Sequence, residues 1–83
     1  MKVFVATWEH KHGTDLSVHH EEEGARRALR QWAKDSLEDV SWGEPDDSKY
    51  VKWLTNLDGA VDHWPEIISG EDMEVRGPFE IGK

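Results

Sequence analysis

The chain has no cysteine among its 83 residues. That removes a disulfide framework, a thiolate zinc site and a cysteine nucleophile, and it fits a reducing cytoplasm, the expected location. Apolar runs never exceed four residues, so neither a membrane-spanning helix nor a signal-peptide core is expected. Cations are scarce too. Ten Lys and Arg against 18 Asp and Glu give a formal net charge of −8. Duplex binding draws its affinity from cationic contacts to phosphate, so direct nucleic-acid binding is not expected, and neither is an anionic membrane surface. No Walker loop, dinucleotide fingerprint or nucleophile elbow occurs, so an enzyme is not expected and no cofactor is implied.

What the chain does have is tryptophan. Five Trp lie within an apolar fraction of 36%, enough bulk to close one small core, and the length sets a single domain over residues 1–83. Lys2 to Glu9 alternates Val3, Val5 and Thr7 with Phe4, Ala6 and Trp8, a β-branched and aromatic mixture that favours a strand. After Lys11-His12-Gly13-Thr14, where Gly13 can take positive φ, the alternation resumes through His19, which makes a hairpin. A two-residue loop at His12-Gly13 groups Val3, Val5 and Thr7 with Leu16 and Val18. A three-residue loop through Thr14 groups Phe4, Ala6 and Trp8 with them instead, burying or exposing Trp8 accordingly. The shorter loop is the preferred reading.

From Glu21 the period becomes 3.6: Ala25, Ala28, Leu29, Trp32, Ala33 and Val40 share one sector, and three Glu occupy the first turn, where the helix dipole favours them. Arg26 and Arg27 lie three or four residues after Glu22 and Glu23, so intrahelical ion pairs are expected. A connection from Ser41 to Asp47 follows, with Asp46, Asp47 or Ser48 as cap of a second helix. Tyr50, Trp53, Leu54, Leu57, Val61 and Trp64 form that helix's stripe, and Pro65 should end it at Trp64, or earlier if Gly59 breaks it. Met73 to Ile81 alternates again, and Gly77-Pro78 points to an edge strand or a bulge. The order is ββααβ. The expected fold is α+β, a three-stranded, largely antiparallel sheet with two antiparallel helices on one face.

His10, His12, His19 and His20 raise the question of a metal. In either register His19 and His20 stand four or more residue positions from His10, roughly 13 Å, too far to share one ion. What remains near the turn is His10 and His12 with Asp15; polar residues on the solvent side of a hairpin outweigh a metal site there, none is assigned, and a histidine-dependent metal-binding protein stands only as a third reading. Charge distribution says more. Residues 1–37 hold six acids and six bases, whereas residues 38–83 hold twelve acids and four bases. Around the interhelical connection Asp35, Glu38, Asp39, Glu44, Asp46 and Asp47 follow one another with no intervening base and with Trp42 among them. A solvated loop with ordinary caps is one reading. The other is a protein-binding surface for a cationic partner, with Trp42 supplying apolar contact.

The opening Lys2-Val3-Phe4-Val5-Ala6-Thr7, the turn His12-Gly13-Thr14-Asp15 and the acidic start of the first helix resemble small proteins of phages and bacterial mobile elements. Size, acidity and the lack of catalytic motifs are similar to those of anti-CRISPR proteins and other phage inhibitors. The resemblance implies a partner in the host cytoplasm, a protein with a basic, nucleic-acid-binding surface, and carries over no functional residue. An antitoxin-like or regulatory subunit that binds through its sheet edge or exposed face is the second reading.

Overall fold

A computed structural model describes residues 1–40 and 52–82. Strand β1 spans Lys2–His10, β2 Gly13–His19 and β3 Asp72–Glu80, in the order β2-β1-β3 with both pairings antiparallel. Helix α1 spans Glu22–Val40, α2 Leu57–Asp62 and α3 Trp64–Ile67. The class is α+β, as the alternation of periods predicts.

Along α1, Ala25, Leu29, Ala33 and Leu37 are fully buried. They form one i, i+4 row, and the two alanines let the helix approach the sheet while the two leucines fill the space between. Burying each leucine contributes about 2 kcal/mol relative to leaving it exposed. Ala6 and Met73 meet this row from the sheet, and Val61, Trp64 and Ile67 close it from the short helices. Phe4, Trp8, Trp32 and Val75 pack around its margin.

The expected second helix is in pieces. Residues 52–54 make one helical turn, and Asn56 then leaves helical geometry at φ −143°. Its side-chain oxygen accepts from the Gly59 amide at 3.1 Å, starting α2 afresh. Asparagine competes with the helix ladder in this way, and a continuous helix forgoes that bond. Pro65 does not end a helix at Trp64 but sits in the first turn of α3, where a missing N–H costs nothing. The stripe itself holds: Trp64 and Val61 are buried, and Trp53, Leu54 and Leu57 pack against the core. The caps proposed at Asp46, Asp47 and Ser48, and Tyr50, lie outside the described residues.

The hairpin loop is two residues long but falls at Lys11-His12, because His10 pairs with Gly13. This keeps the preferred grouping, with Val5 opposite Val18 and Thr7 opposite Leu16. Those residues, however, lie on the face away from the helices. β3 is an edge strand and also bulged: its register against β1 shifts between Val3 and Val5. Gly77 there has φ +122°, and a Cβ on it would stand 2.9 Å from the Val3 carbonyl oxygen. Only glycine fits.

Candidate binding surfaces

Asp35, Glu38 and Asp39 are exposed on the C-terminal part of α1. The last turn of that helix contains no basic residue, so Glu38 and Asp39 sit at the negative end of its dipole. Asp35 accepts a hydrogen bond from the Gln31 amide at 3.0 Å, which leaves its charge in place. Trp42, Glu44, Asp46 and Asp47, the rest of the expected surface, lie outside the described residues.

The other end of the helix is balanced. Arg26 donates to Asp58 and Asp62 at 3.2 Å each, and Arg30 donates to Asp58 at 2.9 Å and to Glu23. For Arg26 the expected partners Glu22 and Glu23 give way to acids of α2, since the packing of α1 against α2 brings Asp58 between the two guanidinium groups, while Glu23 pairs within the helix with Arg30. Burial works against the charge of Arg26, but hydrogen bonds to Asp62 and Asp58 overcome it and raise its pKa. Hydrogen bonds from Glu23 and Asp58 raise that of Arg30. The hydrogen bond from Arg30 outweighs desolvation and, with that from Arg26, holds the Asp58 carboxyl below its ordinary value. Several acids of the second part of the chain are therefore neutralised, among them Asp58, Asp62 and, through Arg76, Glu74.

Between the hairpin turn, the acidic end of α1 and the turn before β3 lies an open cleft of about 690 Å³, lined among others by Trp8, His10, His12, Asp15, Asp39 and Glu71. One oxygen of Glu71 accepts the indole N–H of Trp8 at 2.9 Å and that of Trp64 at 3.0 Å. It ties β1 and α3 to the turn. The His12 amide donates to His10 Nδ1 at 3.2 Å, so the ring proton belongs on Nε2, which faces Asp15 Oδ2 at 3.1 Å. His10 is occupied on both nitrogens by the hairpin itself. Among the described residues no group of three or more His, Cys, Asp or Glu could hold a metal ion.

The open face of the sheet is the surface that the second reading offered without naming residues on it. Val3, Val5 and Thr7 of β1, Leu16 and Val18 of β2, and Phe79 of β3 share it by register. Leu16 is 64% exposed, Val18 65% and Phe79 46%, whereas Val3 and Thr7, on the central strand, are buried between their neighbours. Glu9, Glu74 and Arg76 close one end through ion pairs of Arg76 with both acids. A signal was present in β1, whose two parities are both apolar, the pattern of a strand covered on both sides. Among the described residues no helix is long and apolar enough to cross a membrane. Compared with family models, with characterised proteins and with solved structures, the chain matches none.

Proposed function

We propose that this is a non-enzymatic binding protein whose contact surface is the open face of the sheet. The observation that carries the reading is the exposure of Leu16 and Val18 next to one another on β2, with Phe79 beyond β1, on a face that nothing in the described chain covers. Contiguous exposed apolar side chains mark interaction sites more often than scattered ones do. The partner is a protein that offers an apolar patch flanked by cations, since it meets a chain of net charge −8. Asp35, Glu38 and Asp39 act at longer range, where exposed carboxylates towards the negative end of the helix raise the rate of encounter. The resemblance to phage inhibitors contributes one version of this partner, a host protein whose basic surface otherwise holds nucleic acid. The regulatory or antitoxin-like version uses the same face.

The test is to identify the partner by affinity capture from the native host and then measure its binding as a purified protein. L16K combined with V18K should abolish binding while circular dichroism shows an intact fold. D35K combined with D39K should slow association and flatten its salt dependence, leaving dissociation nearly unchanged. Unaltered affinity in the L16K/V18K protein would overturn the assignment of the face.

A further inference from the structure

The two edges of the sheet are built differently. β3 carries Asp72, Glu74, Arg76 and Glu80, and its pairing with β1 is interrupted where Gly77-Pro78 lies. Charge, proline and a bulge are the means by which sheet edges avoid adding another strand. β2 lacks all but one charge. It pairs with β1 without a register shift from His10↔Gly13 to Phe4↔His19, contains no proline, lysine or arginine, and has Asp15 as its single formal charge. On its other side no strand follows among the described residues, so alternate backbone N–H and C=O groups point outward.

The side chains of β2 also complement themselves. Antiparallel pairing of two copies about a two-fold axis at Ser17 sets Leu16 opposite Val18 of the second copy and Asp15 opposite His19 of the second copy. The first pair falls on the open face, apolar against apolar, and the second on the helix side, where the Asp15 carboxylate, which faces His10 Nε2 at 3.1 Å within its own chain, meets an imidazole whose Nε2 lies 2.5 Å from Ser17 Oγ. A two-fold placed at Leu16 or Val18 loses the carboxylate–imidazole match. Electrostatics permit the approach. Residues 2–20 contain Lys2 and Lys11 against Glu9 and Asp15, so the net charge of −8 resides elsewhere in the chain.

We propose that β2 is a self-association edge: two copies join antiparallel through β2, and two three-stranded sheets become one continuous sheet. This goes beyond the binding reading, because it uses the edge of the strand and not its face. It would also place both copies of Leu16 and Val18 at the centre of one enlarged apolar surface.

The experiment is sedimentation equilibrium of the full chain, supported by native mass spectrometry. The wild-type protein should show a reversible dimer. H19D sets carboxylates opposite each other at both ends of the pairing and should weaken the dimer about tenfold. Adding D15K to H19D restores opposite charges across the two-fold and should recover the wild-type dissociation constant. Within one chain the two positions stand four residues apart, roughly 13 Å, so that recovery is available only between copies. The double variant carries the same H19D lesion and loses the Asp15–His10 contact as well, so a recovered dimer reports pairing and not repaired folding, and thermal melts of all three proteins check it. L16K, at an exposed position, is the independent variant and should also weaken the dimer. The proposal is overturned by a wild-type chain that stays monomeric up to millimolar concentration. It is equally overturned by H19D or L16K dimers as tight as wild type, or by a folded double variant that does not recover. None of these results depends on the external partner being found.

Discussion

On the helix side of the sheet, Phe4, Ala6 and Trp8 of β1 and Met73 and Val75 of β3 meet α1 and the short helices. On the other side Val3, Val5 and Thr7 lie between Leu16, Val18 and Phe79, and no helix among the described residues covers that face. The same strands supply both faces, with similar apolar content. A protein that needs only its own core would alternate apolar with polar residues on such strands. Apart from the buried Val3, the second apolar face adds little to the core of this chain, and its exposure is what motivates the proposed binding.

The largest effect that can break this comparison comes from truncating one side chain on each face. Met73 is 6% exposed, and Met73→Ala should cost about 2 to 4 kcal/mol through lost contacts and the cavity left behind. Val18 is 65% exposed, and Val18→Ala should stay within about 0.5 kcal/mol. Urea unfolding of both variants at low protein concentration measures the difference. Equal costs would mean that the outer face is packed in the free chain and that the contrast between the two sides is false.

A smaller effect sharpens what holds the covered side together. Glu71→Ala leaves the indole N–H groups of Trp8 and Trp64 without their acceptor in a half-buried place, at a cost of about 2 kcal/mol. Glu71→Gln keeps a carbonyl oxygen there and should recover most of it. Tryptophan emission shifting to the red in the alanine variant alone would report the same loss. If both substitutions were equally mild, Glu71 would be a surface acid and not a tie between β1 and α3.

How much of this was legible depends on how local each cause is. Ala25, Leu29 and Ala33 of the α1 row followed from a 3.6-residue period, though that sector left out the fully buried Leu37, and the apolar stripe of the second helical region followed from Trp53, Leu54, Leu57, Val61 and Trp64. Its continuity did not, because one asparagine side chain, that of Asn56, competes with the ladder. The grouping of Val5 and Thr7 with Leu16 and Val18 was readable from loop length. Which face the helices would cover was not, since both parities of β1 are apolar and the choice is made by packing. Glu71 was invisible for a similar reason: its indole partner Trp8 lies 63 residues away in sequence. The exposed position of Asp35, Glu38 and Asp39 fits the sequence pattern, while the Arg26 and Arg30 pairs depend on α2 being brought alongside.

The smallest expected effects lie at the two ends of α1, and they have opposite signs. Asp58 has its pKa lowered mainly by the hydrogen bond from Arg30, so the stabilisation that it adds is present above the unfolded-state carboxyl value, about 3.9. That stabilisation is lost as pH falls through the lower folded-state value. Because the carboxylate is exposed, solvent screening limits it to a few tenths of a kcal/mol at neutral pH. Asp58→Asn should therefore lower the melting temperature slightly at pH 7, and the gap to wild type should close as the pH drops below about 4. Asp39 stands in the last turn of the same helix, against the dipole and with no basic residue in that turn. Asp39→Asn should raise the melting temperature at pH 7 by a similarly small amount, and added salt should shrink both differences. Two losses instead of a loss and a gain would mean that the acidic end of α1 is compensated within the chain, and the long-range field assigned to it would have no source there.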